Sequence, residues 1–192
     1  MKKIIAGVVL ALFTLPSFAQ LNAEKDSIKK VFFDFLAFYK KNEKKFNSFK
    51  LYKGKGKDNN PPYHIQWNEV DKYFAYLRSS VPYVGEAYIK AERKHFKQSE
   101  NEFKKYPQEE LPMGFDYDRW AGGQESIEYT YKWYTSPKNK FVVTIKGNTA
   151  ILKIGSGDAA DKKNTYWSIV PFAKENGKWK MADNVYPEEY GN

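Results

Sequence analysis

The densest set of reactive side chains lies between Asp116 and Glu125, in the stretch DYDRWAGGQE. It holds three acids, an arginine, a tryptophan, a glycine pair and a glutamine. In an extended segment Asp116 and Asp118 project to the same side. Two carboxylates so placed can surround a cation, or one can have its pKa raised for acid–base work. The calcium-loop pattern is not met, because Arg119 follows the D-x-D and no glycine stands at the sixth position. Arg119 beside the acids points instead to internal ion pairing, and Gly122-Gly123 permits positive φ at a sharp turn. The expectation is a hydrogen-bonded corner between a helix and a sheet, with Asp118 accepting from backbone N–H groups of Gly122 to Gln124. Loops also carry binding residues, so Asp116, Asp118, Arg119, Gln124 and Glu125 are candidate binding residues beside that structural role.

Other chemistry is sparse. His64 and His95 are the only histidines and there is no cysteine, so a three- or four-ligand zinc site lacks donors and no metal is expected. GSGDAA, residues 155–160, has the letters of a dinucleotide loop, but DKKNT and a strand follow where the phosphate-holding helix should start. No cofactor is expected. Nothing resembles a nucleophile elbow, and no residue is assigned as catalytic. Tyr129, Tyr131, Trp133 and Tyr134 can form a sugar- or peptide-stacking platform, or core and cross-strand pairs. Tyr131 joins the candidate binding residues on the first reading.

The elements that must position these groups divide the chain into a helical half and a strand-rich half, which reads as α+β. Ile28, Val31, Phe32, Phe35, Leu36 and Tyr39 recur on one helical face, capped by Asp26 or Ser27 and closed by lysines. KGKGKDNNPP, residues 53–62, reads as a loop. A second helix is predicted over residues 67–79 and a third from Pro82 to Pro107. From Gln124 the pattern alternates, predicting a first strand through Trp133. Strands at 141–146, 149–154, 166–173 and 178–185 complete an antiparallel meander, with Pro171 at an edge or where its N–H is not needed. A long curved sheet around helices would make a cone with an internal pocket.

Lys2 and Lys3, the apolar run from Ile4 to Leu15, Pro16 and Ser17-Phe18-Ala19 have the form of a signal peptide cleaved before Gln20. Residues 20–192 are then one exported domain, periplasmic or secreted, with no lipid anchor and no membrane span. Without cysteine its stability rests on packing, and 18% of residues are aromatic. The net charge is +9, almost all from lysine, since arginine occurs only at 78, 93 and 119. Lysine is a hydrated point charge without arginine's bidentate fork. Export argues against a nucleic-acid partner.

SIKKVFFDFLAFYKKN, then FDYDRWAGGQE, then a meander ending in KENGKWKMADNVY resembles the nuclear transport factor 2-like (cystatin-like) superfamily. Within it the order is similar to the secreted bacterial domain-of-unknown-function family 3828. Asp118, Gln124 and Glu125 match that family's corner, while Arg119 stands where its proline usually does. The resemblance implies a cone-shaped α+β fold with a pocket between sheet and helices. It implies no single activity, since members include isomerases, dehydratases, ligand binders, scaffolds and immunity proteins. The expected function is a non-catalytic binding or interaction domain for a protein or small-molecule ligand. The alternatives are a toxin-neutralising immunity protein and a small pocket enzyme of lyase or isomerase type.

Overall fold

The computed structural model describes residues 18–155 and 167–187. Most of the expected signal segment, the GSGDAA loop beyond Gly155 and the strand start at Tyr166 lie outside the described residues. Helix α1 runs Phe18–Phe46, α2 Trp67–Ser80, α3 Glu86–Lys105 and α4 Ile127–Tyr134. Strands β1 (Tyr52–Lys55) and β2 (Asn60–Ile65) form a hairpin. A second, antiparallel sheet has the order β3-β4-β5-β6, from Lys140–Lys146, Thr149–Gly155, Trp167–Glu175 and Lys178–Met181. Short β7 (Tyr186–Pro187) pairs with the start of β5. The chain is α+β, with helices packed on an antiparallel sheet.

The predicted face of α1 is the centre of the core. Ile28, Phe32, Phe35, Leu36 and Tyr39 are all buried. They meet the sheet's inner face, where Leu152, Ile154, Val170, Phe172 and Met181 are buried in turn. Burial of this apolar area is the main favourable term in folding. The space between helices and sheet is therefore filled by packed side chains.

The meander follows the predicted alternation. Pro171 sits inside β5, opposite Ile151. Its carbonyl accepts from Ala182 N–H at 2.9 Å, so its absent N–H faces the break between β6 and β7. Only the reciprocal bond to Ala182 is forgone, just past the end of the β5–β6 pairing, which is why proline is tolerated.

Helix α1 begins at Phe18, upstream of the expected caps Asp26 and Ser27, and the strand expected over 178–185 ends at Met181; three other predicted elements are corrected in kind or start. The alternating stretch after Gln124 is helix α4, not a strand. Ser126 Oγ accepts from Tyr129 N–H at 3.3 Å, and Ile127, Thr130 and Tyr134 are buried at helical spacing. The ring of Phe32 meets that of Tyr134 edge-on at 5.2 Å, so a cap and tertiary packing override aromatic strand preference. The KGKGKDNNPP loop is mostly the β1–β2 hairpin. Asn59 adopts φ 55° and its Oδ1 accepts from Gly54 N–H at 2.6 Å, closing the turn. Third, α3 starts at Glu86 rather than near Pro82. Tyr83 and Gly85 exchange backbone bonds with Met181, and these hold residues 83–85 extended.

The start of α3 is capped from the sheet. Both carboxylate oxygens of Glu175 on β5 accept, from Glu86 N–H and Ala87 N–H, each at 3.0 Å. A Cβ on Gly85 would run into that carboxylate. Replacing the cap, Glu175→Ala, should lower the unfolding free energy by about 1 kcal/mol. Urea denaturation of wild type and variant at neutral pH checks this, and an unchanged midpoint would refute the cap.

Candidate functional site

The Asp116–Glu125 corner leaves α3 through residues 106–115 and enters α4. Asp118 folds it. Its backbone N–H donates to Gly123 O at 2.6 Å, and its carbonyl accepts from Gly122 N–H at 2.7 Å. Gly122 has φ 72°, and a Cβ there would lie 2.8 Å from Val185 O. Glycine is required at this position both by φ and by the approach of the chain after β6.

The Asp118 side chain bonds backbone groups, but not those expected. Oδ1 accepts from Trp120 N–H at 2.9 Å and Ala121 N–H at 3.0 Å, rather than from Gly122 to Gln124. An acid two residues before the N–H groups it binds reaches the near side of the turn. Oδ2 accepts from Tyr39 Oη on α1 at 2.8 Å. Burial raises the Asp118 carboxyl above its ordinary value, offset in part by those three donors. Burial and the Asp118 charge together push the Tyr39 hydroxyl well up, so it stays a neutral donor.

Arg119 makes an internal ion pair, as expected, but with neither neighbouring aspartate. Its Nη2 donates to Glu92 Oε2 on α3 at 2.8 Å. Glu92 is 0% exposed and Arg119 5%. Glu92 also accepts from Tyr73 Oη at 3.0 Å and Asn184 Nδ2 at 3.1 Å. Trp120 Nε1 donates to Tyr73 Oη at 2.7 Å, and Tyr88 Oη donates to Asn184 Oδ1. The guanidinium lies 4.3 Å from the Phe96 ring centroid and 4.9 Å from that of Phe115. Burial, the largest single effect, would lower the Arg119 pKa, but the Glu92 charge and hydrogen bond, with the Tyr73 and Tyr88 hydroxyls, together raise it. Burial also pushes the Tyr73 and Tyr88 hydroxyls well up.

Beside this network opens a groove of about 1060 Å³. Tyr39 and Glu43 on α1, the β1–β2 hairpin, the first turn of α2 and the corner line it. None of its lining residues comes from the five-stranded sheet, so it is not the internal pocket expected of a cone. The groove gathers Asp118, Arg119 and Glu125 and leaves Asp116, Gln124 and Tyr131 outside. Asp116 and Gln124 are solvent-exposed. Tyr131 is half-buried on α4, not on a strand, with Lys40 Nζ 5.0 Å above its ring. Tyr117, exposed at the corner, lines the groove and was not anticipated.

Sequence reasoning also missed Glu92, Tyr73 and Asn184. Glu92 had a signal: it sits four residues from Tyr88 and from Phe96 on the buried stripe of α3, where an unpaired acid would be costly. Tyr73 and Asn184 had none, since a tyrosine on an apolar face and an asparagine after a strand are ordinary.

The two histidines are apart. His64 Nε2 contacts Gln66 Nε2 at 2.7 Å, and His95 Nε2 meets Asp183 Oδ1 at 2.8 Å. No group of three or more His, Asp or Glu among the described residues is arranged to hold a metal ion.

Two measurements test this arrangement. Arg119→Met leaves the Glu92 carboxylate buried without its cation and should cost about 3–5 kcal/mol. Adding Glu92→Gln should recover at least half of that loss in urea unfolding, and additive losses would refute the coupling. The second concerns pH. The hydrogen bond that protonated His95 donates to Asp183 raises the His95 pKa above 6.5, against the lowering effect of burial. A raised base favours the folded state when protonated, so the contribution is full below pH 6.5 and is lost as pH rises through the folded value. The stability difference between wild type and His95→Gln should therefore shrink with rising pH across that window. A difference independent of pH would exclude the pair.

No family model, no curated protein and no solved structure matches this chain.

Proposed function

We propose that this chain is an exported, non-catalytic binding domain whose protein or small-molecule ligand occupies the groove beside the Asp118 corner. The groove itself carries the reading. It is wide, lined by aromatic rings and by polar groups from four elements, and about as large as the bigger ligand sites of proteins. Its half-buried acid Asp118 already has both oxygens engaged by three donors. Glu43, Asn47, Asn68 and Glu125, by contrast, have no side-chain partner among the described residues and face the groove. Export rests on the signal-like first nineteen residues. The resemblance to the nuclear transport factor 2-like superfamily agrees with a ligand-binding or immunity role.

The pocket-enzyme alternative draws on a specific feature, the raised Asp118 carboxyl beside the Tyr39 hydroxyl. It is the weaker reading, because Asp118 is held as a turn acceptor and burial raises the other shifted hydroxyls of the lining, Tyr39, Tyr52 and Tyr117, away from neutral pH.

The test places a photo-crosslinking phenylalanine at Tyr117 in the exported chain of the producing cell, with the same replacement at Lys146 on β3 as control. The expected result is an adduct specific to position 117. No adduct at 117, with no ligand-induced shift in melting temperature, would overturn the binding reading.

A further inference from the structure

We infer that the groove takes an acidic polypeptide segment of a partner protein, held by Lys50, Lys53 and Lys57; this rests on the binding reading above. The first ground is where the charge sits. Between Lys40 and Lys57 the chain carries eight lysines against one acid, Glu43, out of a net charge of +9 for the whole. The other positions are close to balanced. A cationic excess so confined creates a local field that draws anionic partners and orients them.

Part of that excess has a structural use. Lys44 and Lys45 occupy the last turn of α1, where cations suit the helix dipole. Lys40 lies 3.6 Å from Glu128, and Lys45 lies over the Phe49 and Tyr76 rings. Lys50, Lys53 and Lys57 have no such use. They lie beyond the helix, are exposed, pair with no carboxylate among the described residues, and all line the groove.

The backbone holding them is anchored. Tyr52 packs on Phe115 at 4.7 Å and on Tyr63 at 5.7 Å. Tyr63 Oη donates to Glu110 O at 2.7 Å, and Gln66 N–H donates to Leu51 O at 2.9 Å. The lysines thus stand on a hairpin fixed against the corner, and little ordering of the backbone is needed when a ligand arrives.

The rest of the lining selects a polypeptide over a uniform polyanion. Four acids also line the groove: Glu69 pairs with Lys72 and Asp118 is held by three donors, while Glu43 and Glu125 leave the lining mixed in charge, which suits a peptide that intersperses acidic with neutral residues better than an evenly charged phosphate or sulfate polymer. Arginine, the residue whose fork suits phosphate, enters the lining only as Arg119, which is buried and turns Nη2 to Glu92. A peptide offers carboxylates to the lysines, amides to Asn47 and Asn68, and apolar side chains to the exposed face of Tyr117.

The test measures fluorescence anisotropy of a labelled peptide made of repeated Glu-Gly-Glu-Tyr units, at low and at physiological salt. Saturable binding is expected, weaker at higher salt. The triple variant Lys50→Glu, Lys53→Glu, Lys57→Glu should weaken it about tenfold or more, the sum of three modest ion pairs. Lys140→Glu, Lys146→Glu, Lys178→Glu makes the same charge change on the five-stranded sheet and should have little effect. Circular dichroism verifies that both variants fold. Equal weakening by the two triples would reduce the effect to net charge and overturn the proposal. So would no binding by the peptide, or tighter binding through the same lysines by a single-stranded oligonucleotide or a sulfated polysaccharide. If the position-117 adduct persists undiminished in the Lys50, Lys53, Lys57 variant, the groove remains a binding site and the acidic class of ligand falls.

Discussion

A carboxylate shut away from solvent must be satisfied by the protein itself, and Glu92 is such a carboxylate. Its partners come from every part of the chain: Tyr73 from α2, Arg119 from the corner and Asn184 from the segment after β6. The helical half and the sheet half are joined through one charged centre. Apolar packing of α1 on the sheet supplies most of the burial, but it is non-directional. The Glu92 network fixes direction, because its hydrogen bonds form only when α2, α3, the corner and the end of β6 hold one arrangement.

The groove follows from that arrangement. Arg119 is drawn inward to Glu92, so the next residues, Trp120 and Ala121, are buried and the chain must reverse. Asp118 caps that reversal, and Gly122 lets it pass against Val185. Tyr39 reaches the same aspartate from α1 and brings the end of that helix to the corner. The groove therefore has a floor set by buried bonds, and a wall of hairpin residues laid against Phe115.

The legible parts of the sequence were those with a clean period or a short turn. The face of α1 follows a 3.6-residue repeat, and β3 to β6 alternate and are joined by short connections through Gly147 and Gly177, or by the 156–166 segment. The hairpin was hidden by its composition, since lysine, glycine, asparagine and proline carry no apolar alternation. Helix α4 was read as a strand because IEYTYKWY alternates in type. Only the Ser126 cap and the burial of Ile127, Thr130 and Tyr134 against α1 reveal its true period. The corner was legible as a turn, but its key partner lies 27 residues upstream, and pairing at that distance leaves no local pattern. The lysine wall was visible as a charged loop, and its relation to a groove came only with the fold.

The same division shows in how the polar groups around the corner are spent. A proton-transfer group must be able to change its charge near the working pH. The hydroxyls of Tyr39, Tyr73 and Tyr88 are all pushed the wrong way by burial, so they remain neutral donors. Tyr73 passes one bond on, accepting from Trp120 while donating to Glu92. Glu92 and Arg119 neutralise one another, and Asp118 is held by three donors. The polar groups with the strongest environments are thus consumed in setting the fold. Apart from Arg119 Nε and Nη1, which are buried without a hydrogen-bond partner, those left uncommitted are lysines, amides and glutamates on the groove surface. Charged groups on an anchored wall are what the proposed binding role would draw on.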